Sequence, residues 1–174
     1  DSLIAAFSAL QKSELKTAEK AIKANDFSSA MSAINQAESL IGGADQKTKA
    51  KYYYLKGLAL YQNGANANVE EVGAAFNQLI NFEKESNKLK YTNEVGSLIN
   101  EMVKKTLSRA NKEYEVAAAS KSPEDYIKAA KAFSQVYALS PADTSFLYNA
   151  ALVYSFGKDY ESSKNVYEKL LDLN

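Results

Sequence analysis

The sequence contains no cysteine, no histidine and no tryptophan, and a single arginine, Arg109. Each absence closes off chemistry. Without cysteine there is no disulfide framework, so the redox compartment cannot be read from pairing. Without histidine the commonest transition-metal ligand and the commonest general base are both missing. With one arginine, the side chain most used for bidentate phosphate and base-edge contacts is nearly gone. Basic and acidic residues number 21 each, a formal net charge of zero, so no bulk field draws the chain to nucleic acid or to an anionic membrane. No apolar run approaches the roughly 20 residues of a membrane span.

Catalytic patterns are missing too. No Gly-rich phosphate loop, serine elbow or metal-ligand spacing is visible. The neighbouring acids Glu70-Glu71 and Glu124-Asp125 have the composition of an acid/base pair, but both stand at expected helix starts, where the helix dipole favours acids without further cause. Lys84, Lys88 and Lys90 cluster, but Glu83 and Glu85 interleave with them, so there is no basic stripe. The expectation is a protein that is not an enzyme, with no metal, no cofactor and no nucleic-acid partner.

What is present is helix. Alanine, lysine, glutamate and leucine dominate, and two prolines and seven glycines leave room for long segments. Apolar spacing predicts a first helix over about 2–24 with Leu3, Ala6, Phe7, Leu10, Ala18, Ala21 and Ile22 inward. Asp26 caps a second, carrying Phe27, Ala30, Ile34, Ala37 and Ile41 and closed by Gly42-Gly43. Asp45 caps a third, with Tyr53, Gly57, Leu60 and Tyr61, up to Gly64. Gly57 lies mid-helix, where it costs about 1 kcal/mol against alanine, and the expected return is close approach of a neighbouring helix. After the loop 65–68, Asn68 and Glu71 make a capping-box-like start for a fourth helix with Val69, Val72, Phe76, Leu79, Ile80 and Phe82.

A polar connector runs from Glu83 to Tyr91. Thr92 then caps a long fifth helix, with Val95, Leu98, Ile99, Met102, Val103, Leu107, Ala110 and Tyr114 inward. Ser122-Pro123-Glu124-Asp125 is the clearest start: a serine cap, proline in the first turn and two acids at the dipole. The sixth helix carries Tyr126, Ala129, Ala130, Phe133, Val136 and Leu139 and is broken by Ser140-Pro141. The seventh carries Leu147, Ala150, Ala151 and Tyr154 and stops at Gly157; the eighth carries Tyr160, Ser163, Tyr167 and Leu170. Tyr52, Tyr53 and Tyr54 alone are strand-prone, and they sit inside a helical frame.

The last two even-numbered helices repeat each other. Asp125, Tyr126, Ala129, Phe133 and Val136 align with Asp159, Tyr160, Ser163, Tyr167 and Leu170 at an offset of 34 residues for every pair. Asp26, Phe27, Ala30, Ile34 and Ala37 have the same internal spacing, as do Val72, Phe76 and Leu79. Two helices per unit at this period resemble the tetratricopeptide repeat. The last unit fits best, through Leu147, Ala151, Tyr154, Ser163 and Tyr167. Tyr53, Gly57 and Leu60 match on another first helix, and Ala129, Phe133 and Pro141 match a second half. The third unit's first helix fits through Leu107, Asn111 and Tyr114, with a turn longer than the family's, and the small position of the second unit is Val72.

The resemblance implies an all-α fold: one right-handed solenoid of four antiparallel helical hairpins, eight helices, over about 2–41, 45–86, 92–139 and 142–173. It implies a protein-interaction module whose concave face takes a protein or peptide partner. Carried across residue by residue, the groove candidates are Lys51, Tyr54, Leu58 and Tyr61 on the third helix, Arg109 and Lys112 on the fifth, and Tyr148, Asn149, Leu152 and Ser155 on the seventh. Asn149 matches the asparagine that some family members use to hold a peptide backbone or terminal carboxylate. Leu55 and Arg109 stand at the corresponding places, so a full carboxylate clamp is not expected. For the tyrosines, twelve in all, the competing expectation is gap-filling between helices; for Lys51, Arg109 and Lys112 it is a solvated surface. A different class of function, a structural subunit of a larger assembly, stays open.

Asp1 reads as the start of a piece of a longer protein. Leu3-Ile4-Ala5-Ala6-Phe7 is read either as the stub of an export signal or as the first turns of a core-facing helix; its short length and lack of a basic flank favour the helix. Leu170, Leu171 and Leu173 end the last helix without a polar closing helix, which points to further repeats or a homo-oligomer contact there. The abundance of Lys, Asn and Tyr resembles exported repeat proteins of Bacteroidetes-type bacteria, so periplasm or cell surface is expected, with cytoplasm as the alternative.

Overall fold

A computed structural model describes residues 1–64 and 67–173; residues 65 and 66 of the expected loop, and residue 174, lie outside the described residues. The helices are α1 (Ser2–Lys23), α2 (Phe27–Glu38), α3 (Gln46–Gln62), α4 (Val69–Ser86), α5 (Thr92–Ser120), α6 (Pro123–Leu139), α7 (Ser145–Phe156) and α8 (Tyr160–Asp172). A short 3-10 turn, Ile41–Gly43, follows α2. The described residues contain no strand. The chain divides into two compact units, Asp1–Leu98 and Ile99–Asn174, with the boundary inside α5.

In the first unit α1 packs on α2, α3 packs on both, and α4 packs on α3. Small residues make this possible. Leu15, Ala18, Ala21 and Ile22 of α1 meet Ala30, Ala33, Ile34 and Ala37 of α2 and Tyr52, Leu55 and Ala59 of α3 in one buried cluster. Gly57 bears out its expected role: a Cβ there would enter the ring of Phe76, which is fully buried on α4. The glycine is therefore the space the aromatic occupies, and its helix cost is offset by close packing.

The first turns of α1 correct an expectation. Leu3, Ile4, Phe7 and Leu10 are not core residues; they are 68%, 73%, 47% and 47% exposed. Helix length explains this. α1 has 22 residues and α2 only 12, so at about 1.5 Å per residue the partner leaves nearly half of α1 uncovered. Burial on α1 begins at Gln11, whose Nε2 donates to the carbonyl of Leu40.

In the second unit α6 packs on α7 and α7 on α8. Ala110 of α5 joins Ala129, Ala130, Ala132 and Phe133 of α6 and Ala150, Val153 and Tyr154 of α7 in a second cluster. Ser163 of α8 is buried and its Oγ donates to the carbonyl of Ala151 at 2.8 Å, so the small residue of α8 seats directly on the small residue of α7. Tyr160 and Tyr167, expected to face inward from α8, are 65% and 38% exposed.

The helix ends reuse one device. Asn25 (φ 54°) and Lys158 (φ 60°) take the left-handed conformation, and the next residue is an aspartate that caps the following helix. Ser29 N–H donates to Asp26 Oδ1 at 3.0 Å and Ser162 N–H to Asp159 Oδ1 at 3.1 Å. Asp26 N–H reaches back to Ala21 O (2.9 Å) and Asp159 N–H to Tyr154 O (3.0 Å), the same span in both turns. Asp45 caps α3 as expected, accepting from Thr48 N–H at 2.7 Å. Gly157 stops α7 as expected, and it does so without a left-handed conformation. Its φ is −79°, and a Cβ would meet Pro123 O at 2.9 Å and Ile127 Cγ1 at 3.0 Å, so it is the contact point between the end of α7 and the start of α6.

Three caps differ from expectation. Asn68 makes no cap; its Nδ2 turns back to the carbonyls of Leu60 and Gly64. Ser122 donates to Glu124 Oε2 at 2.6 Å and does not cap backbone. At α5 the acceptor is not Thr92 but Glu83, from the last turn of α4. Glu83 is 2% exposed, and its carboxylate accepts from the N–H groups of Lys90 (2.9 Å), Tyr91 (2.8 Å) and Thr92 (2.8 Å) and from Thr92 Oγ1 (2.5 Å). One buried side chain thus satisfies the orphan donors where the next helix begins. Burial pushes this carboxyl up, but the hydrogen bonds from Thr92, Tyr91 and Lys90 outweigh it and hold the group below its ordinary range.

Candidate functional site

The α5, α6 and α7 stretches of the second unit leave an open groove of about 320 Å³. One wall is Leu107, Asn111 and Tyr114 of α5, at helical positions i, i+4 and i+7. The other is Asn149, Leu152, Val153 and Phe156 of α7, at i, i+3, i+4 and i+7, and Phe133 of α6 is the remaining lining residue. Each wall presents a single helix face. Tyr114 and Phe156 are 36% and 45% exposed and both stand edge-on to Tyr126, with centroids 6.3 and 5.8 Å away, so one end of the groove carries an aromatic cluster.

The polar content of the groove is small and specific. None of its eight lining residues is charged. Its two amides, Asn111 and Asn149, have no hydrogen-bond partner among the described residues. An amide offers one acceptor and two donors, the same groups a peptide bond presents. Apolar walls with a few convergent polar groups are the ordinary make-up of a binding site.

Of the ten sequence-derived candidates, Asn149 and Leu152 line this groove. Tyr148 lies on the neighbouring face of α7, half exposed and edge-on to Tyr167 at 6.3 Å. Ser155 is half-buried and donates to Leu152 O at 2.6 Å. Arg109 is half-buried, with its guanidinium on Gln135 Oε1 of α6. Lys112 is exposed and borders a separate hollow with Glu113, Val116, Asp125 and Lys128.

The four candidates on α3 lie in the first unit. Lys51 Nζ pairs with Glu19 Oε2 at 3.0 Å, and this pair, with Lys23, keeps the Glu19 carboxyl below its usual range. Tyr54 stacks on Tyr91 with ring centroids 4.1 Å apart and donates to Glu94 Oε1 at 2.9 Å. Burial first, then the Glu94 carboxylate, push its hydroxyl above the ordinary phenol range. Leu58 packs against the first buried cluster, and Tyr61 is half-buried.

Leu107, Asn111 and Tyr114 were legible as a helical repeat face but not as groove lining. Charge drew attention to Arg109 and Lys112, about 200° around the helix from Asn111 and one residue beyond it, respectively, at 100° per residue. The stronger signal was the matching i, i+3/i+4, i+7 spacing behind each asparagine.

A larger hollow of about 480 Å³ lies in the first unit, between Ile4, Phe7 and Gln11 of α1 and the segment 39–48. Its polar groups serve the fold: Gln11 holds Leu40 O, Ser39 Oγ donates to Gln36 O and Asp45 caps α3. Among the described residues no group of three or more acids is arranged to hold a metal, and no helix is long and apolar enough to cross a membrane. Comparison with protein-family models, with curated proteins and with solved structures finds no match to this chain.

Proposed function

We propose that this protein is a non-catalytic protein- or peptide-interaction module of the tetratricopeptide-repeat type, a right-handed solenoid of helical hairpins that binds its partner along the α5–α7 groove. The observation that carries the reading is that two amides without a partner among the described residues, Asn111 and Asn149, line one groove with Leu107, Tyr114, Leu152 and Phe156. The recurring turn, a left-handed residue followed by an aspartate cap at Asp26 and again at Asp159, supports the repeat. So does the seating of Ser163 on Ala151. Fold alone does not carry function, so the groove chemistry must do so.

The test is selection of binders from a random peptide display library on the intact protein, followed by fluorescence anisotropy on variants. Phe156→Ala and Asn149→Ala are each expected to weaken the selected peptides by about tenfold, the effect of losing an apolar anchor or a buried hydrogen bond of between 1 and 2 kcal/mol. Peptides that bind both variants as tightly as the parent would remove the groove from the account.

A second reading, an assembly subunit, is favoured by the apolar residues Leu3, Ile4 and Phe7 on α1 and Leu171 and Leu173 at the end of α8, all 47% or more exposed. Sedimentation velocity separates the two. Concentration-dependent association abolished by Phe7→Lys or Leu171→Lys belongs to assembly, and a monomer at all concentrations belongs to the groove reading alone.

A further inference from the structure

The groove's chemistry goes further than its existence and names the kind of polypeptide it takes. We infer that it binds an uncharged, extended stretch from within a chain, with apolar side chains at alternate positions, and that it rejects acidic segments and free carboxyl termini. This rests on the groove reading above.

Charge decides the first part. All eight lining residues are uncharged, and of the two cations nearest Asn111 in sequence, Arg109 bonds Gln135 and Lys112 borders a separate hollow with Glu113, Asp125 and Lys128. A carboxylate entering here meets Leu107, Tyr114, Phe133, Leu152, Val153 and Phe156 without a counter-ion, and burying an unpaired charge in such a setting is strongly unfavourable. Complementarity in this groove is neutrality.

The amides decide the second part. Each presents an acceptor beside donors, so it satisfies both the C=O and the N–H of a peptide bond, whereas a carboxylate, which only accepts, engages the NH₂ alone and leaves the amide oxygen unpaired. They therefore read main chain. The walls decide the length. Leu107 to Tyr114 and Asn149 to Phe156 each rise about 10 Å along their helices, which matches about three residues of extended chain at roughly 3.3 Å each. In an extended segment the first and third side chains point the same way, toward the apolar lining, while the main chain runs past the asparagines.

The probes are fluorescein-labelled hexapeptides of random internal sequence. Each is made in two forms, with a free carboxyl terminus and with a C-terminal amide, and pools of fixed net charge are compared. The expected result is equal or tighter binding of the amidated form, selection of the neutral pool over the acidic pool by at least tenfold, and loss of that binding in the Asn111→Ala, Asn149→Ala double variant. Alanine is the better helix former, so this variant keeps its fold. Leu152→Lys supplies a gain-of-function arm: a cation in the wall is expected to move preference toward the acidic pool.

Tight binding that requires the free carboxylate or an acidic sequence, and that depends on the asparagines, overturns this inference while leaving the groove reading in place. Binding by every pool that ignores both asparagines, or binding by none, overturns both.

Discussion

Ala151→Glu is expected to lower the melting temperature by at least about 15 °C. Ala151 is fully buried on α7, and its carbonyl accepts the Ser163 hydroxyl of α8 at 2.8 Å. A glutamate there needs volume where α7 and α8 touch and brings a carboxylate with no cation to meet it. Overpacking costs about 1–3 kcal/mol and an unpaired buried charge about 3–5, so a loss of about 4 kcal/mol is a modest figure. A typical domain has only about 5–15 kcal/mol in hand. At about 4–8 °C per kcal/mol for a unit of this size, the melting shift follows. The control is Tyr148→Glu, three residues before Ala151 on α7 but 51% exposed, which is expected to stay within about 1 kcal/mol of the parent. An unchanged melt for Ala151→Glu would remove that residue from the helix contact.

The second large effect belongs to Glu83. Its carboxylate is the shared acceptor for three backbone N–H groups and the Thr92 hydroxyl at the start of α5. Glu83→Ala leaves those donors without their acceptor, and water reaches only some of them. With charged hydrogen bonds worth about 1.5–3 kcal/mol and partial rescue by solvent, a loss of about 3 kcal/mol is expected, read by urea denaturation. Glu83→Gln keeps the shape but turns an amide NH₂ toward donors, and an intermediate loss is expected.

The pH dependence follows from the sign of the shift. The folded-state Glu83 carboxyl lies below its unfolded value, so its stabilisation is fully present above the unfolded value of about 4.3 and is lost as pH falls through the folded one. Asp26, Asp45 and Asp159, each held low by the side-chain and backbone donors of the residue it caps, act in the same direction. Stability should therefore fall on acidification below about pH 4.3, and the fall should be shallower in Glu83→Gln. Equal slopes in parent and variant would mean that Glu83 adds nothing and that the other carboxyls held low, Glu19 and the three caps among them, carry the effect.

Glu83 also shows where sequence reading runs out. The stretch after α4 read as a polar connector because its acids and lysines alternate; nothing local says that one acid folds inward to meet a helix start seven to nine residues ahead. The same limit applies to α1. Leu3, Phe7 and Leu10 have the spacing of a core face, and spacing alone cannot tell that α2 stops too soon to cover them. What was legible was whatever the chain writes locally: the eight helices, the aspartate caps at Asp26 and Asp45, and Gly57 as a place of close approach.

The groove was half legible for a related reason. Asn149 and Leu152 came from the repeat pattern, which marks one helix face. Asn111 carried the same pattern, but the charges of Arg109 and Lys112 were the louder feature on that helix. Charge on a long flexible side chain is a poor guide to a groove, because such side chains find partners around the helix, as Arg109 does with Gln135. An asparagine on the face marked by the apolar spacing is a better one, because its short side chain stays on that face.

The absence of cysteine makes the most direct test clean. Ser108→Cys and Lys164→Cys each give a single thiol, the first exposed on α5 beside the groove residue Leu107 and the second on the exposed side of α8. Each is labelled with an environment-sensitive fluorophore and titrated with library-selected peptides. The account predicts a saturable change from the label at 108 and none from the label at 164; a response at 164 with silence at 108 would contradict it.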